Sequence, residues 1–426
     1  MVVHYCGIMQ NDSERRRVVI TGMGTVNPIA KTVADTWEAI LAGQSGIRTI
    51  SRFDTSDLKT HIAGEVLDFD YSLYFSEDMQ KKGRRMALFS KYAVAATKEA
   101  VEQAGLDTVT ARNRIGICYG SGVGGLEIQH ENSMALETKG ARRVSPFYVP
   151  LSIGNMAAGA ISMNWNVTGP NVGLQTACAT ANHSIAMAQL IIRAGMADVM
   201  IAGGAESTMS ALGISGFGNM HALSTRNDSP ETASRPYDRD RDGFVMSEGA
   251  ATLVLEDYEH ARKRGAPILA EVCACGMSGD AHDFVAPDPE GRGAALSMAM
   301  ALEQSGVTPD QLGYINTHGT STPVGDLAEI KGIHQMIHKS VANTHIGSTK
   351  SMHGHLLGAA AGIEAIITVQ ALRFGTVPAN INLFNPDPEL PPVQLPTEVV
   401  EKKMTHALSN SFGFGGHNSS LVLARV

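Results

Sequence analysis

A cysteine stands where an apolar segment begins, in residues 176–180 (TACAT). The segment that follows, residues 179–193, has the composition of an apolar helix. A thiol at a helix N-terminus faces the positive end of the helix dipole, which favours the thiolate and raises its nucleophilicity. Cys178 is therefore a candidate nucleophile. The alternative is a small buried cysteine without chemistry, the commoner fate of a free thiol.

A second polar segment, residues 316–323 (NTHGTSTP), follows a predicted strand at residues 313–317. Loops at the carboxyl ends of strands are where α/β folds bind ligands. The segment offers the imidazole of His318 and two hydroxyls, from Thr320 and Thr322, that could bind an extended polar ligand arm. The alternative is a capped turn before a helix that starts near Asp326.

A third segment, residues 348–355 (STKSMHGH), places one lysine and two histidines in a short loop. His353 and His355 could bind a metal, but no third ligand lies nearby in the sequence, which disfavours this interpretation. The alternative is that Lys350 and a histidine surround a developing negative charge.

The glycine-rich stretch at residues 120–125 (GSGVGG) fits GxGxxG and follows a predicted strand, a pattern typical of dinucleotide binding. Residues 129–144 contain no second strand ending in an acidic residue to hold a ribose. The motif alone is therefore weak evidence for a nicotinamide cofactor.

Strand-like and helical patterns alternate along the chain and must position these segments. We predict strands at 17–22, 114–119, 198–203, 251–255, 268–275, 313–317, 406–411 and 420–424, and helices at 30–42, 90–104, 179–193, 293–305 and 359–374. This alternation indicates an α/β fold with a largely parallel central sheet. The pattern restarts near residue 265, which predicts an internal duplication. The predicted parts are a flexible leader (1–14), a half with the cysteine (15–265) and a half with the histidines and lysine (266–426).

Composition excludes several other classes of protein. The 426 residues include 34 Lys and Arg against 42 Asp and Glu, a net charge of −8, which disfavours a nucleic-acid binder. The five cysteines form no CxxC pair, which disfavours a disulfide framework or a zinc ribbon. We identify no secretory signal and no stretch long and apolar enough to span a membrane. The sequence therefore predicts a cytoplasmic protein without a membrane partner.

Taken together, four motifs resemble the elongating β-ketoacyl-acyl-carrier-protein synthases of the thiolase superfamily. They are TACATA at Cys178, NTHGTSTPVGD at His318, STKSMHGH with Lys350 and His355, and NSFGFGG at residues 410–416. The resemblance extends over about residues 16–425. His353 and His417 depart from the family pattern, which usually has threonine at both positions. Neither replaces a residue with a proposed chemical role, so the departures bear on loop shape and ligand fit.

The resemblance implies a thiolase fold, in which two similar halves form a five-layered αβαβα sandwich, and a homodimer. It implies elongation of fatty acyl chains by decarboxylative Claisen condensation between acyl and malonyl groups on acyl carrier protein, with no cofactor required for catalysis. A ketosynthase of an aromatic polyketide pathway is the alternative with the same chemistry. Cys178 argues against a chain-length factor, which shares the fold but lacks the nucleophile. The Cys-His-His set argues against the Cys-His-Asn enzymes that start from acyl-CoA.

The resemblance also implies roles for the reactive residues. Cys178 holds the acyl chain, and the backbone N–H groups of Cys178 and Phe414 form an oxyanion hole. His318 and His355, as neutral imidazoles, stabilise the enolate left by decarboxylation. Lys350 orients the site, with Glu329 as its ion-pair partner and Asp326 in support. Phe412 and Phe414 form a gate between the empty and acylated states.

Further residues are assigned on the same resemblance. Thr320 and Thr322 bind pantetheine. The acyl pocket takes Val123 as its gate, Phe217, and Tyr148 reaching across from the partner subunit. Carrier-protein docking is assigned instead on the clustering of positive charge in an acidic protein, because carrier proteins are strongly acidic, and the residues are Lys81, Lys82, Arg84, Arg85, Arg142 and Arg143. A structural monovalent or divalent cation is assigned to oxygen donors of Asn316, Thr317, Glu364, Asn410 and Ser411.

Overall fold

The computed structural model describes residues 16–337 and 340–426, so the predicted leader at residues 1–14 lies outside the described residues. The strands are β1 (Val18–Val26), β2 (Arg48–Thr49), β3 (Ile62–Ala63), β4 (Ile115–Gly120), β5 (Asn171–Leu174), β6 (Val199–Glu206), β7 (Gly249–Asp257), β8 (Ala270–Gly279), β9 (Leu312–Asn316), β10 (His345–Gly347), β11 (Thr376–Val377), β12 (Val400–Glu401), β13 (His406–Gly413) and β14 (His417–Ala424).

The helices are α1 (Val33–Leu41), α2 (Glu77–Gly83), α3 (Leu88–Ala104), α4 (Leu126–Lys139), α5 (Tyr148–Ser152), α6 (Met156–Trp165), α7 (Thr180–Arg193), α8 (Ala211–Asn219), α9 (Tyr258–Arg264), α10 (Arg292–Ser305), α11 (Pro323–Ile337), α12 (Lys350–His353) and α13 (Ala360–Phe374). Every predicted strand and helix has a counterpart among them. Their ends are set by local chemistry. For example, α1 begins after Thr32, whose hydroxyl caps the helix by accepting a hydrogen bond from the backbone N–H of Asp35.

The main sheet of the described chain has ten strands, and its order repeats. From the edge inward, the N-terminal strands run β5-β4-β6-β7-β1, and the C-terminal strands run β10-β9-β13-β14-β8. When the five strands of each set are counted in chain order, the third strand of the set stands at the edge, followed by the second, fourth, fifth and first. β1 and β8 hydrogen-bond to each other and join the two sets. The predicted seam near residue 265 lies between α9 and β8.

The prediction of a largely parallel sheet is wrong, because the sheet is mixed. Strands β9, β10 and β13 pair in parallel, as do β4, β5 and β6. The five pairings from β13 to β14, β8, β1, β7 and β6 are antiparallel. β13 and β14 form a tight hairpin, which can pair only in the antiparallel direction. An apolar run marks a buried strand but carries no information on its direction.

The helices and sheets form the five layers of a thiolase-like sandwich. α7 and α13 lie in the middle and contact strands of both sets. α3 and α6 cover the outer face of the N-terminal strands, while α10 and α11 cover that of the C-terminal strands. Strands covered on both faces need apolar side chains throughout, which explains why every residue of β6 is buried.

One stretch corrects the expectation about membrane spans. Leu357–Phe374 is long and apolar enough to cross a membrane, and within the described residues it alone meets that test. It contains α13, and 89% of the stretch is buried inside the protein. Its apolar side chains therefore pack in the central helical layer of the protein.

Candidate active site

Cys178 lies where the sequence predicts, at the N-terminal end of α7. It belongs to a 3-10 turn, Ala177–Ala179, that leads directly into the helix. Its Sγ lies 3.0 Å from Nε2 of His355. The expectation of a favoured thiolate is wrong for this resting state, because burial raises the pKa of the thiol to about 12 and the positive charge of Lys350 offsets only part of the rise. Desolvation is the largest influence on the pKa of this thiol.

Three reactive side chains from distant segments converge. One ligand atom each from Cys178, His318 and His355 lies within 4.8 Å of the other two. The two imidazoles meet edge to face, with centroids 5.4 Å apart. Burial lowers the pKa of both histidines well below the usual value, and the charge of Lys350 lowers it further. Both rings are therefore neutral at neutral pH.

The same three atoms have the spacing of a metal cluster, but the surroundings disfavour a metal. A cation there would face the ammonium of Lys350, whose charge already acts on all three groups. His353 offers no further ligand. Its Nδ1 lies 2.8 Å from the carbonyl of Gly354, and its Nε2 lies 3.0 Å from Oγ1 of Thr349. His353 is thus a hydrogen-bonded structural histidine.

The predicted ion pair between Lys350 and Glu329 is wrong. Nζ of Lys350 donates to Oε1 of Glu364, on α13, and both side chains are almost fully buried. Glu329 instead accepts hydrogen bonds from the backbone N–H groups of His318 (2.9 Å) and Gly319 (2.7 Å). Its two oxygens are therefore occupied in holding the His318 loop, and burial raises its pKa to about 7.

Asp326 also holds the loop that follows His318, and its ion-pair partner is Arg241 and not Lys350. It accepts from the backbone N–H groups of Tyr237 (2.9 Å) and Ser321 (3.1 Å), and it lies 3.5 Å from the guanidinium of Arg241. Asp326 thus fastens the loop after His318 to a neighbouring segment.

A cavity of about 420 Å³ opens onto the reactive cluster. Among its lining residues are the predicted Cys178, His318, His355, Thr320, Thr322, Phe217, Phe412 and Phe414, together with Met220, His221, Val285 and Leu357, which the sequence reasoning missed. The two threonine hydroxyls lie 3.0 Å apart. Met220 and His221 directly follow α8, Val285 lies in a loop, and Leu357 begins a 3-10 turn two residues after His355, just outside the motif.

Val123 and Tyr148 lie apart from this cavity. Val123 lines a second cavity, also about 420 Å³, with residues 152–155 and 173–175 beside the edge strand β5. Tyr148 is half-buried at the start of α5, outside both linings. In a single chain, the predicted acyl-pocket residues are therefore divided between two places.

The β13–β14 hairpin adjoins the cysteine turn. A Cβ added at Gly413 would lie 3.0 Å from the backbone nitrogen of Cys178, so only glycine fits there without displacement. Ser411 Oγ donates to the carbonyl of Cys178 at 2.9 Å. The ring of Phe412 lies 5.9 Å from that of His318, and the ring of Phe414 lies 6.3 Å from that of Phe217.

The residues assigned to a cation include buried polar atoms without a hydrogen-bond partner. These atoms are Nδ2 and Oδ1 of Asn316 and Oε2 of Glu364. Both polar atoms of the Asn410 side chain have hydrogen-bond partners, since the amide accepts from Ser420 (2.8 Å) and donates to Glu329 (3.3 Å). The carboxylate and amide oxygens without a donor fit a hard cation.

The six basic residues assigned to docking are all exposed. Lys81 and Lys82 lie in the last turn of α2, and Arg84 and Arg85 follow the helix directly, whereas Arg142 and Arg143 lie in the 3-10 turn after α4. The guanidinium of Arg85 stacks 5.2 Å from the ring centre of Phe147, near the second group. This contact brings the two groups to one surface.

Fold and site together define a class, the thiolase-like ketosynthases. Solved structures support it. The chain resembles a β-ketoacyl synthase from Burkholderia phymatum with 34% identity and a TM-score of 0.90, covering 96% of this chain and 100% of that one. It also resembles the ishigamide ketosynthase/chain length factor, with 31% identity, a TM-score of 0.89, and coverage of 97% and 100%.

The family follows from sequence comparison. Residues 15–261 match the N-terminal domain of β-ketoacyl synthases, and residues 269–384 match the C-terminal domain. A 3-oxoacyl-[acyl-carrier-protein] synthase 2 from Vibrio cholerae is 50% identical, covering 97% of this chain and 100% of the relative. The protein of the same name from Staphylococcus aureus is 45% identical, covering 97% and 99%. The chain therefore belongs to the β-ketoacyl synthase family.

Proposed function

We propose that this protein is a 3-oxoacyl-acyl-carrier-protein synthase that elongates fatty acyl chains in the cytoplasm. The observation that carries the proposal is the cluster of Cys178, His318 and His355 within 4.8 Å, opening onto one cavity. Relatives named 3-oxoacyl-[acyl-carrier-protein] synthase 2 are 45–50% identical. A solved type II PKS acyl-carrier protein in complex with its ketosynthase is 29% identical to this chain, so the polyketide alternative has less support.

The first half-reaction is acyl transfer to Cys178. Sulfur attacks the thioester carbonyl, the carbon–sulfur bond to pantetheine breaks, and the thiol proton passes to the departing pantetheine thiolate beside His355 Nε2, which lies 3.0 Å from Sγ. The raised pKa of Cys178 makes this proton transfer necessary, because little thiolate exists beforehand. Backbone N–H groups of Cys178 and Phe414 stabilise the tetrahedral oxyanion.

The second half-reaction is decarboxylative condensation. The imidazoles of His318 and His355 donate N–H hydrogen bonds to the thioester oxygen of malonyl-carrier protein, which stabilises the enolate left when carbon dioxide departs. The enolate carbon then attacks the acyl-cysteine carbonyl. A carbon–carbon bond forms, the carbon–sulfur bond to Cys178 breaks, and the released thiolate takes up one proton from water.

Lys350 supports both steps through charge. Its ammonium is fixed by Glu364 and lies close enough to lower the pKa of both histidines. A fixed positive charge keeps the imidazoles neutral and adds to the field that stabilises the enolate.

The proposed assembly is a homodimer of chains with two thiolase-like halves, 15–265 and 266–426. β5 is an edge strand, and no residue of the neighbouring α4 is buried. Large apolar side chains nearby are exposed, namely Met134, Leu136, Phe147, Val149 and Ile153. An unpaired edge beside exposed apolar side chains fits coverage by a second copy. In that dimer, Tyr148 of one chain would reach the acyl pocket of the other.

A structural cation completes the proposal. Lys350 supplies one positive charge against the two buried carboxyl groups of Glu329 and Glu364, whose pKa values burial raises. A monovalent cation bound to the unpartnered oxygens of Asn316 and Glu364 would balance the second charge. The condensation itself needs no cofactor.

The test is an elongation assay with purified protein, malonyl-carrier protein and acyl-carrier proteins of four to sixteen carbons. Formation of 3-oxoacyl-carrier protein with release of carbon dioxide supports the proposal, and Cys178→Ala should abolish it. Absence of condensation at every chain length, with a folded dimer, would overturn it. Processive polyketide formation dependent on a second protein would favour the alternative.

A further inference from the structure

Glu206 is a fully buried carboxylate outside the reactive cluster, at the end of β6. Oε2 accepts from the backbone N–H groups of Gly122 (2.7 Å) and Gly358 (3.1 Å). Oε1 accepts from Ser121 Oγ (2.9 Å) and from the backbone N–H of Val123 (3.4 Å). One side chain therefore ties the glycine-rich loop to the segment that begins α13.

The tied segments, which we call the wall, each adjoin one of the two cavities. Leu357, beside Gly358, lines the cavity that contains Cys178, whereas Val123, beside Gly122, lines the second cavity. The wall is tight, since a Cβ added at Gly358 would lie 2.2 Å from the backbone nitrogen of Gly122. An acyl chain that outgrows the first cavity toward the second must displace part of this wall.

We propose that Glu206 is a positioning residue that holds this wall closed and thereby limits the length of acyl chain that Cys178 accepts. The inference rests on the proposed synthase function. The carboxylate offers acceptors to four donors at once, and a side-chain amide cannot, because its NH₂ group would face backbone N–H groups. Replacing the carboxylate therefore loosens the contact between Gly122 and Gly358.

The test compares Glu206→Gln with the wild type over the same ladder of acyl-carrier proteins, with kcat and KM measured separately. We expect the ratio of kcat/KM for long over short chains to rise about tenfold, the scale of one lost hydrogen bond to a charged group. The gain should lie in KM for the long substrates. Ser121→Ala removes one donor and should move the ratio in the same direction by about threefold.

Glu99→Gln is the matched control, because Glu99 is also a largely buried carboxylate that accepts two backbone hydrogen bonds, from Thr25 and Val33. It should lower stability and leave the ratio unchanged. An unchanged ratio in Glu206→Gln, or a shift toward short chains, would overturn the inference. If Glu206→Gln does not fold, an unchanged ratio in Ser121→Ala overturns it. Wild-type protein inactive on every substrate would instead refute the proposed synthase function.

Discussion

At the residue scale, opposing effects act on the pKa of the Cys178 thiol. The helix N-terminus and the ammonium of Lys350 favour the thiolate, while burial disfavours it and dominates. The position of the cysteine at the start of a helix could be predicted from the sequence. The depth of its burial could not, because that depends on side chains contributed by distant loops.

The division of labour in the cluster can be tested by substitution. Cys178→Gln places an amide where the acyl-cysteine carbonyl would lie, so it should abolish condensation yet keep malonyl decarboxylation. His318→Ala and His355→Ala should each reduce decarboxylation by about 10²–10³-fold, the scale of one lost oxyanion donor. Release of labelled carbon dioxide from malonyl-carrier protein measures this step. Normal decarboxylation by either histidine variant would refute the assigned roles.

His353 predicts a pH dependence of stability. Burial and the charge of Lys350 lower its pKa to about 3, from an ordinary value of 6.5. Between about pH 3 and pH 6.5 the folded state therefore binds fewer protons than the unfolded state, so the free energy of unfolding falls as pH drops below 6.5. Between pH 6.5 and pH 5 this single group costs about 2 kcal/mol.

The variant His353→Asn removes this titration while keeping a donor for the Gly354 carbonyl. Its free energy of unfolding should fall less between pH 6.5 and pH 5 than that of the wild type, by about 2 kcal/mol. Urea unfolding followed by fluorescence at several pH values measures the difference. Parallel pH profiles for the two proteins would contradict the assignment.

At the element scale, the sequence predicts strands and helices well where apolar periodicity is strong. α3 begins two residues before its predicted start, and α10 one residue before. Helix α4 was missed because none of its residues is buried, so it carries no apolar stripe. The partner of Lys350 was also missed, since Glu364 lies on a different helix and local sequence cannot rank it against Glu329.

The glycine-rich loop gives a prediction on chain length. Val123 lines the second cavity, where each methylene of a bound chain contributes roughly 0.8 kcal/mol. Val123→Phe would fill this space and forfeit several methylenes, and overpacking costs about 1–3 kcal/mol more. The variant should elongate short acyl chains normally, and its elongation activity should fall steeply for long acyl chains. Uniform loss across the acyl ladder, together with lower stability, would mean that Val123 is ordinary core.

At the scale of the whole molecule, charge is unevenly distributed. The chain has a net charge of −8, yet six basic residues are exposed on the surface formed by α2 and the turn after α4. A local positive patch on an acidic protein attracts an acidic partner and repels basic proteins. Acyl carrier proteins are strongly acidic. The alternative is a solvated surface without a partner.

The double variant Arg84→Glu with Arg85→Glu separates these alternatives. Arg262→Glu is the control, because this exposed arginine lies on α9, which contacts Gly105 at the C-terminal end of α3, whereas Arg84 and Arg85 precede the N-terminal end of α3. The double variant should raise KM for the carrier-bound substrate about tenfold or more at low salt and leave kcat nearly unchanged, since steering acts on association.

Added salt should shrink the difference in KM between the double variant and the wild type, because screening weakens both attraction and repulsion. Steady-state kinetics at several salt concentrations measure both effects. Equal KM values and equal salt dependence in the double variant and the wild type would exclude this surface as the docking site.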